Sequence, residues 1–152
     1  MIFRDLYAEA YDGIYADKDY VGEVNTIERV YKQYCTRPLE SVLDMGCGAG
    51  GHSFIFSERG YNVVGFDQSH DMINLAKAKF ILRERRPHFE VGDVRTFRSK
   101  KKVELAVMLF GVFSHQESND DALSAIRYMV GRAMEAVQEG KRNVQKKDET
   151  NN

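Results

Sequence analysis

Cysteine is scarce, with only Cys35 and Cys47 in 152 residues. Two thiols at that separation make neither a disulfide framework nor a metal-ligand spacing, so no metal site is expected. Long apolar runs are absent as well. The longest, residues 105–113, falls far short of the roughly 20 residues a spanning helix needs, and no membrane partner is expected. No charge of one sign prevails either: 22 Lys and Arg stand against 23 Asp and Glu, for a formal net charge of -1. That balance argues against a polyanion such as nucleic acid as the main partner. The opening MIFRDLYAEAYD carries acids early and has no apolar signal core, so a reduced, cytoplasmic setting is the expectation. What is present is a globular composition, 43% hydrophobic, 30% charged and 11% aromatic, at the length of one domain.

The order of elements carries the fold. Residues 1–16 space their apolar side chains as a helix interrupted near Gly13. Residues 21–34 place Val24, Ile27, Tyr31 and Tyr34 on one helical face, and Pro38 discourages continuation. Ser41–Met45 reads as a short buried strand running into glycines. Residues 51–59 read as a helix with Gly60 as a left-handed cap. Asn62–Asp67 is a second strand. Ser69 caps a third helix whose inner face is Met72, Ile73, Ala76 and Phe80. Residues 88–92 and 104–110 read as a third and a fourth strand. The fourth is almost wholly apolar, as a strand buried on both faces should be. Ser118 opens a long helix over 118–139, and the residues after Gly140 form a polar tail. Strands alternating with helices specify an α/β fold, a mostly parallel sheet with helices on both faces. The basic clusters at 83–86 and 98–102 fall between elements and read as solvated surface rather than an RNA-contacting patch.

The chemistry gathers after the first strand, in Leu43-Asp44-Met45-Gly46-Cys47-Gly48-Ala49-Gly50-Gly51-His52. Glycines let the backbone turn sharply and approach a ligand. Gly46, Gly48 and Gly51 also satisfy G-x-G-x-x-G, a pattern shared with dinucleotide sites. Asp67 ends the second strand, where a carboxylate can accept hydrogen bonds from both ribose hydroxyls, and Asp93 follows the third. Asp44, Asp67 and Asp93 thus collect at the carboxyl edge of one sheet. A pyrophosphate wants N–H donors with no anion close by, yet Asp44 lies beside the first glycine and no Lys or Arg lies between Asp44 and Glu58. S-adenosylmethionine, which carries an ammonium and a sulfonium but no phosphate, suits that turn better than NAD(P), which stays as the alternative.

The stretches LDMGCGAGGH, VVGFDQS, FEVGDVRTF and ELAVMLFGVFSH, in that order over roughly residues 40–115, resemble the class I S-adenosylmethionine-dependent methyltransferases. YDGIYADKDY near the N-terminus is similar to a small-molecule subset, including aminosugar and glycine-type N-methyltransferases. The resemblance implies a Rossmann-like sheet of order 3-2-1-4 for these four strands. It implies S-adenosyl-L-methionine as cofactor, with Asp44, Gly46, Cys47 and Gly48 around its methionine end and Asp67 on the ribose. It places Gln68 and Met72 along the adenosine, Asp93 and the Val94 N–H at the adenine, and Leu109 and Phe110 near the methyl. Tyr11, Tyr15 and Tyr20 would form a lid, with Tyr15 and His115 as candidate catalytic residues. A small-molecule acceptor, such as an amine, would receive the methyl by SN2 displacement. Bland readings stand beside these: His115 also reads as an ordinary loop histidine, the three tyrosines as packing residues, and His52 as a structural residue in the first turn of its helix.

The expected organisation is a helical lid over 1–38, an incomplete cofactor-binding domain over 39–140 and a polar tail over 141–152. Strands 5 to 7 of the family are not legible, so the chain reads as C-terminally truncated. Strand 4 would then be an apolar edge, a template for pairing with another chain, and a homo-oligomer through that edge is expected. A non-catalytic S-adenosylmethionine-binding module is the second functional reading.

Overall fold

The computed structural model describes residues 10, 13–97, 103–109, 118–120, 123 and 127. Four parallel strands, β1 (Ser41–Met45), β2 (Asn62–Asp67), β3 (His88–Val91) and β4 (Leu105–Val107), form one sheet in the order β3-β2-β1-β4. Among the described residues, three helices are complete: α1 (Tyr20–Tyr34), α2 (Gly51–Glu58) and α3 (His70–Phe80). β1 lies between β2 and β4, with Asp44 level with Gly65 on one side and Val107 on the other. The expected order of strands is therefore observed, as are the bounds of β1 and β2.

Alternation along the strands divides the core. Val42 of β1 packs with Val63, Val107, Phe56 of α2 and Val24 of α1. Leu43 and Met45 point the other way and meet Phe66, Val94 and Val103. Phe66 stacks there on Phe97 with ring centroids 3.9 Å apart. Leu43, Met45, Phe56 and Phe66 are fully buried, each worth about 1.5–3 kcal/mol over an exposed side chain. On α3, Met72, Ile73, Ala76 and Phe80 are all buried, as their spacing indicates.

Local signals begin and end the helices. The Asp19 carboxylate accepts from the Gly22 N–H at the start of α1. Ser69 Oγ accepts from the Met72 N–H at the start of α3, whose first turn carries Asp71 and whose last carries Lys77 and Lys79, as the helix dipole favours. Gly60, at φ +94°, turns the chain from α2 into β2.

Two expectations shift. Tyr34 is 76% exposed; at 100° per residue it lies about 80° around the helix from Val24, at the rim of the stripe. β4 spans Leu105–Val107 rather than 104–110, and Glu104 ahead of it turns to the start of β1, where its Oε2 accepts from the Ser41 N–H at 2.8 Å and Ser41 Oγ at 2.5 Å. α1 shares the sheet's core through Val24. Of the long helix over 118–139, Asn119, Asp120, Leu123 and Arg127 are described and helical. The rest of it, the polar tail, Tyr11, Phe110 and His115 lie outside the described residues. No helix among the described residues is long and apolar enough to cross a membrane.

Candidate cofactor site

β1 runs out at Met45 into a turn whose backbone is bent by glycine. Gly46, Gly48 and Gly50 have φ of +75°, +54° and +83°, a region that side chains with a Cβ rarely enter. The turn is tied to the end of β2: the Gly46 and Cys47 N–H groups both donate to the Phe66 carbonyl, at 2.7 and 2.9 Å. α2 then begins at Gly51 close against the sheet. Gly65 makes this approach possible, because a Cβ there would lie 2.8 Å from Ser53 Oγ.

The three carboxylates expected along the carboxyl edge take different roles. Asp67 projects from the end of β2, with Oδ2 accepting from the Gly48 N–H at 3.0 Å and Oδ1 from the Ser69 N–H at 2.9 Å. It is half-buried. Each oxygen keeps a lone pair for a further donor, so its orientation is set in advance of any ligand. Asp93, just past β3, is gripped by Arg95, whose Nε, Nη2 and backbone N–H all donate to it. That contact holds the Asp93 carboxyl below its usual range, against a smaller opposing effect of burial. Asp44 differs. It is 1% exposed, and its Oδ2 accepts from Ser53 Oγ at 2.6 Å. Burial pushes its pKa up, while Ser53 and the nearby His52 oppose the rise. Its carboxylate is thus engaged with α2 inside the β1–α2 junction.

The remaining expected residues fall as follows. Cys47 is buried, and desolvation followed by the charges of Asp44 and Asp67 raises its thiol pKa, which makes it inert. Met72 packs on Ala49 of the turn, with Tyr15 and Leu75 against both. Tyr20 lies against Gly51, where a Cβ would come within 2.5 Å of its ring. Gln68 is exposed beside Asp67. The Val94 side chain is buried with Phe66, and Leu109 packs beside Val24 and Val42. Sequence reasoning missed Ser53 and Arg95 as partners of Asp44 and Asp93. Arg95 stands two residues after Asp93, a spacing typical of side chains that bond their own turn. His52, expected to be structural, is indeed buried in the first turn of α2. Its partner, Glu23 of α1, carried no signal in the sequence.

The arrangement fits S-adenosylmethionine better than a dinucleotide. The Gly48 amide, which a pyrophosphate would need, is already committed to an anion, Asp67. What the edge offers instead is a carboxylate suited to a ribose diol, a turn without Cβ atoms at Gly46 and Gly48, and an apolar wall of Ala49 and Met72. Two concavities of about 370 and 330 Å³ lie at the opposite, amino edge of the strands, beside Leu39 and Tyr61 and beside Asn62 and His88. Neither touches Asp67, so volume does not locate this site; the chemistry of the strand ends does.

Comparison with known proteins agrees. A family profile described as a methyltransferase domain matches residues 42–133. The dTDP-3-amino-3,4,6-trideoxy-alpha-D-glucopyranose N,N-dimethyltransferase of Streptomyces venezuelae is 28% identical over 124 residues, covering 79% of this chain and 49% of that protein. The crystal structure of Streptomyces venezuelae DesVI superposes with a TM-score of 0.70 at 26% identity, over 83% of this chain and 52% of that one. An S-adenosylmethionine-dependent methyltransferase from Clostridium acetobutylicum reaches 0.72 at 21% identity, over 83% and 51%, and so shares the fold. The chain spans about half the length of these relatives. Profile, sheet order and strand-end chemistry converge: the chain belongs to the S-adenosylmethionine-dependent methyltransferase domain family.

Proposed function

We propose that this chain binds S-adenosylmethionine across the carboxyl ends of β1, β2 and β3 and directs its methyl group to a small-molecule amine. The observation that carries the reading is the Asp67 carboxylate, held by the Gly48 and Ser69 amides with lone pairs to spare. In this reading Asp67 accepts from both ribose hydroxyls. Gly46, Cys47 and Gly48 present backbone to the methionine end, and Asp44 supports that turn through Ser53. Met72 and Gln68 flank the adenosine. Asp93, oriented by Arg95, accepts from the adenine amino group while the Val94 N–H donates to the ring. Tyr11, Tyr15 and Tyr20 cover the turn, and Leu109 and Phe110 border the methyl.

When bound, the cofactor supplies an electrophilic methyl on sulfonium sulfur, open to in-line attack by a neutral nitrogen. The chain's part is alignment and exclusion of water, and His115 or Tyr15 takes the proton the amine releases. An amine acceptor is favoured by the aminosugar substrate in the name of the Streptomyces venezuelae relative. A methyl-transfer screen with S-adenosylmethionine and a panel of small amines and aminosugars tests the reading. Transfer to a member of the panel is the expected result.

The second reading is a cofactor-binding module without catalysis of its own, supported by strand-end contacts at Asp67 that need only hold the cofactor. Cofactor binding with no transfer to any acceptor would select it. We further propose self-association along β4, which among the described residues pairs only with β1. A sedimentation coefficient that stays monomeric at all concentrations would refute this. A cytoplasmic setting belongs to the same proposal and is in keeping with the exposed free thiol of Cys35.

A further inference from the structure

The N-terminal segment and the glycine turn are joined by a contact that the cofactor chemistry does not use. His52, second residue of α2, is 5% exposed. Its Nε2 lies 2.5 Å from Oε2 of Glu23 in the first turn of α1. Lys18 Nζ lies 2.5 Å from the other oxygen, Oε1. That ion pair, with a smaller contribution from His52, keeps Glu23 below its usual range. A charged carboxylate can only accept, so the imidazole Nε2 donates to it.

Around this pair the segment grips the turn at successive points. The Tyr20 ring stands edge-on to His52, centroids 4.8 Å apart and planes at 76°, and lies against the bare Cα of Gly51. Tyr15, five residues earlier in the chain, reaches Ala49 and Met72. The Glu23 carboxylate also sits where the amino ends of α1 and α2 meet, and a negative charge is favourable at both.

We propose that His52 is a positioning residue: through Glu23 it latches residues 15–23 over the glycine turn, and cofactor affinity depends on that latch. The inference rests on the cofactor reading above, but its first readout needs no ligand. In the full chain, amide hydrogen exchange at residues 20–24 rises about tenfold in His52→Ala, as expected for losing one hydrogen bond to a charged group, while β1 and β2 keep their native rates. His52→Gln, which retains a donor, restores slow exchange. Titration calorimetry with S-adenosylhomocysteine then gives a dissociation constant raised about tenfold in His52→Ala and restored to near native in His52→Gln. Should His52→Ala fail to fold, Glu23→Ala, which removes the acceptor at the more exposed partner, decides through the same two readouts, with Lys18→Ala as the control for the other ion pair of Glu23. Unchanged exchange at residues 20–24, or an equal rise across the whole sheet, overturns the latch. Native affinity for S-adenosylhomocysteine in a variant with fast exchange overturns its link to the cofactor. Absence of binding by the native chain sinks the cofactor reading and with it that link, while the exchange rates still judge the contact itself.

Discussion

Replacing Asp67 separates its two duties, because it holds the turn in the free protein and is proposed to hold the ribose in the complex. In the free protein its oxygens accept from two different amides, Gly48 and Ser69. Asparagine of the same shape offers one acceptor oxygen and turns an NH₂ donor toward the other amide. One half-buried N–H then loses its acceptor, at a cost of about 1.5–3 kcal/mol for a hydrogen bond to a charged group. With a urea slope of about 2 kcal/mol/M, the unfolding midpoint of Asp67→Asn falls by about 1 M. Asp67→Ala leaves both amides without the carboxylate and falls further. Cofactor affinity responds separately. Losing one charge-assisted bond to the diol raises the dissociation constant for S-adenosylhomocysteine by about 10- to 150-fold, measured by calorimetry at a temperature where the variant is folded. Native stability in Asp67→Asn would refute the tie between turn and strand. Native affinity in Asp67→Ala would remove Asp67 from the site.

The other predictions probe neighbouring contacts. Ser53→Ala removes the hydroxyl that donates to buried Asp44 and costs about 1–3 kcal/mol near neutral pH. The hydroxyl favours the charged carboxylate, and the folded-state pKa of Asp44 is raised above 3.8, so the penalty grows as pH rises through that raised folded-state value and shrinks in acid, read by chemical unfolding at several pH values. Arg95→Met shows the same direction of pH dependence over a lower range. The folded-state pKa of Asp93 is lowered below 3.8, so its contribution is present above that value and lost as pH falls through the folded one. The variant should be less stable by under about 1 kcal/mol near neutral pH, as for a partly exposed pair, with no difference in strong acid. Gly65→Ala drives a Cβ toward Ser53 Oγ, Phe89 and Cys47 and costs about 1–3 kcal/mol by overpacking, checked by thermal unfolding.

Much of the fold was legible because the signals are local. β1 and β2 are short apolar runs closed by glycine or aspartate, and α3 carries its cap at Ser69 and its buried face at a spacing of three and four. Sheet order followed from resemblance over the same motifs. The position of Asp67 was legible too, since a strand end beside a glycine turn is where an α/β sheet meets its ligand. The partners of the carboxylates were not. The pairing of Glu23 with His52 joins residues 29 apart in the chain, and no periodicity encodes which exposed helix face meets which loop. The place of Asp44 beside the glycines was legible from the motif, but its bond to Ser53 was not. Its inward orientation follows from strand alternation with Val42, which faces α2, and only the packing of Ser53 reveals its partner. Glu104 likewise read as the start of a strand, whereas its carboxylate closes the amino end of β1.

A crystal of the chain soaked with S-adenosylhomocysteine tests the central claim most directly. The account predicts both ribose hydroxyls within about 2.5–3.0 Å of the Asp67 oxygens, with the amino-acid end over Gly46 and Gly48. A ligand bound elsewhere, or a ribose lying beyond reach of Asp67, would contradict it.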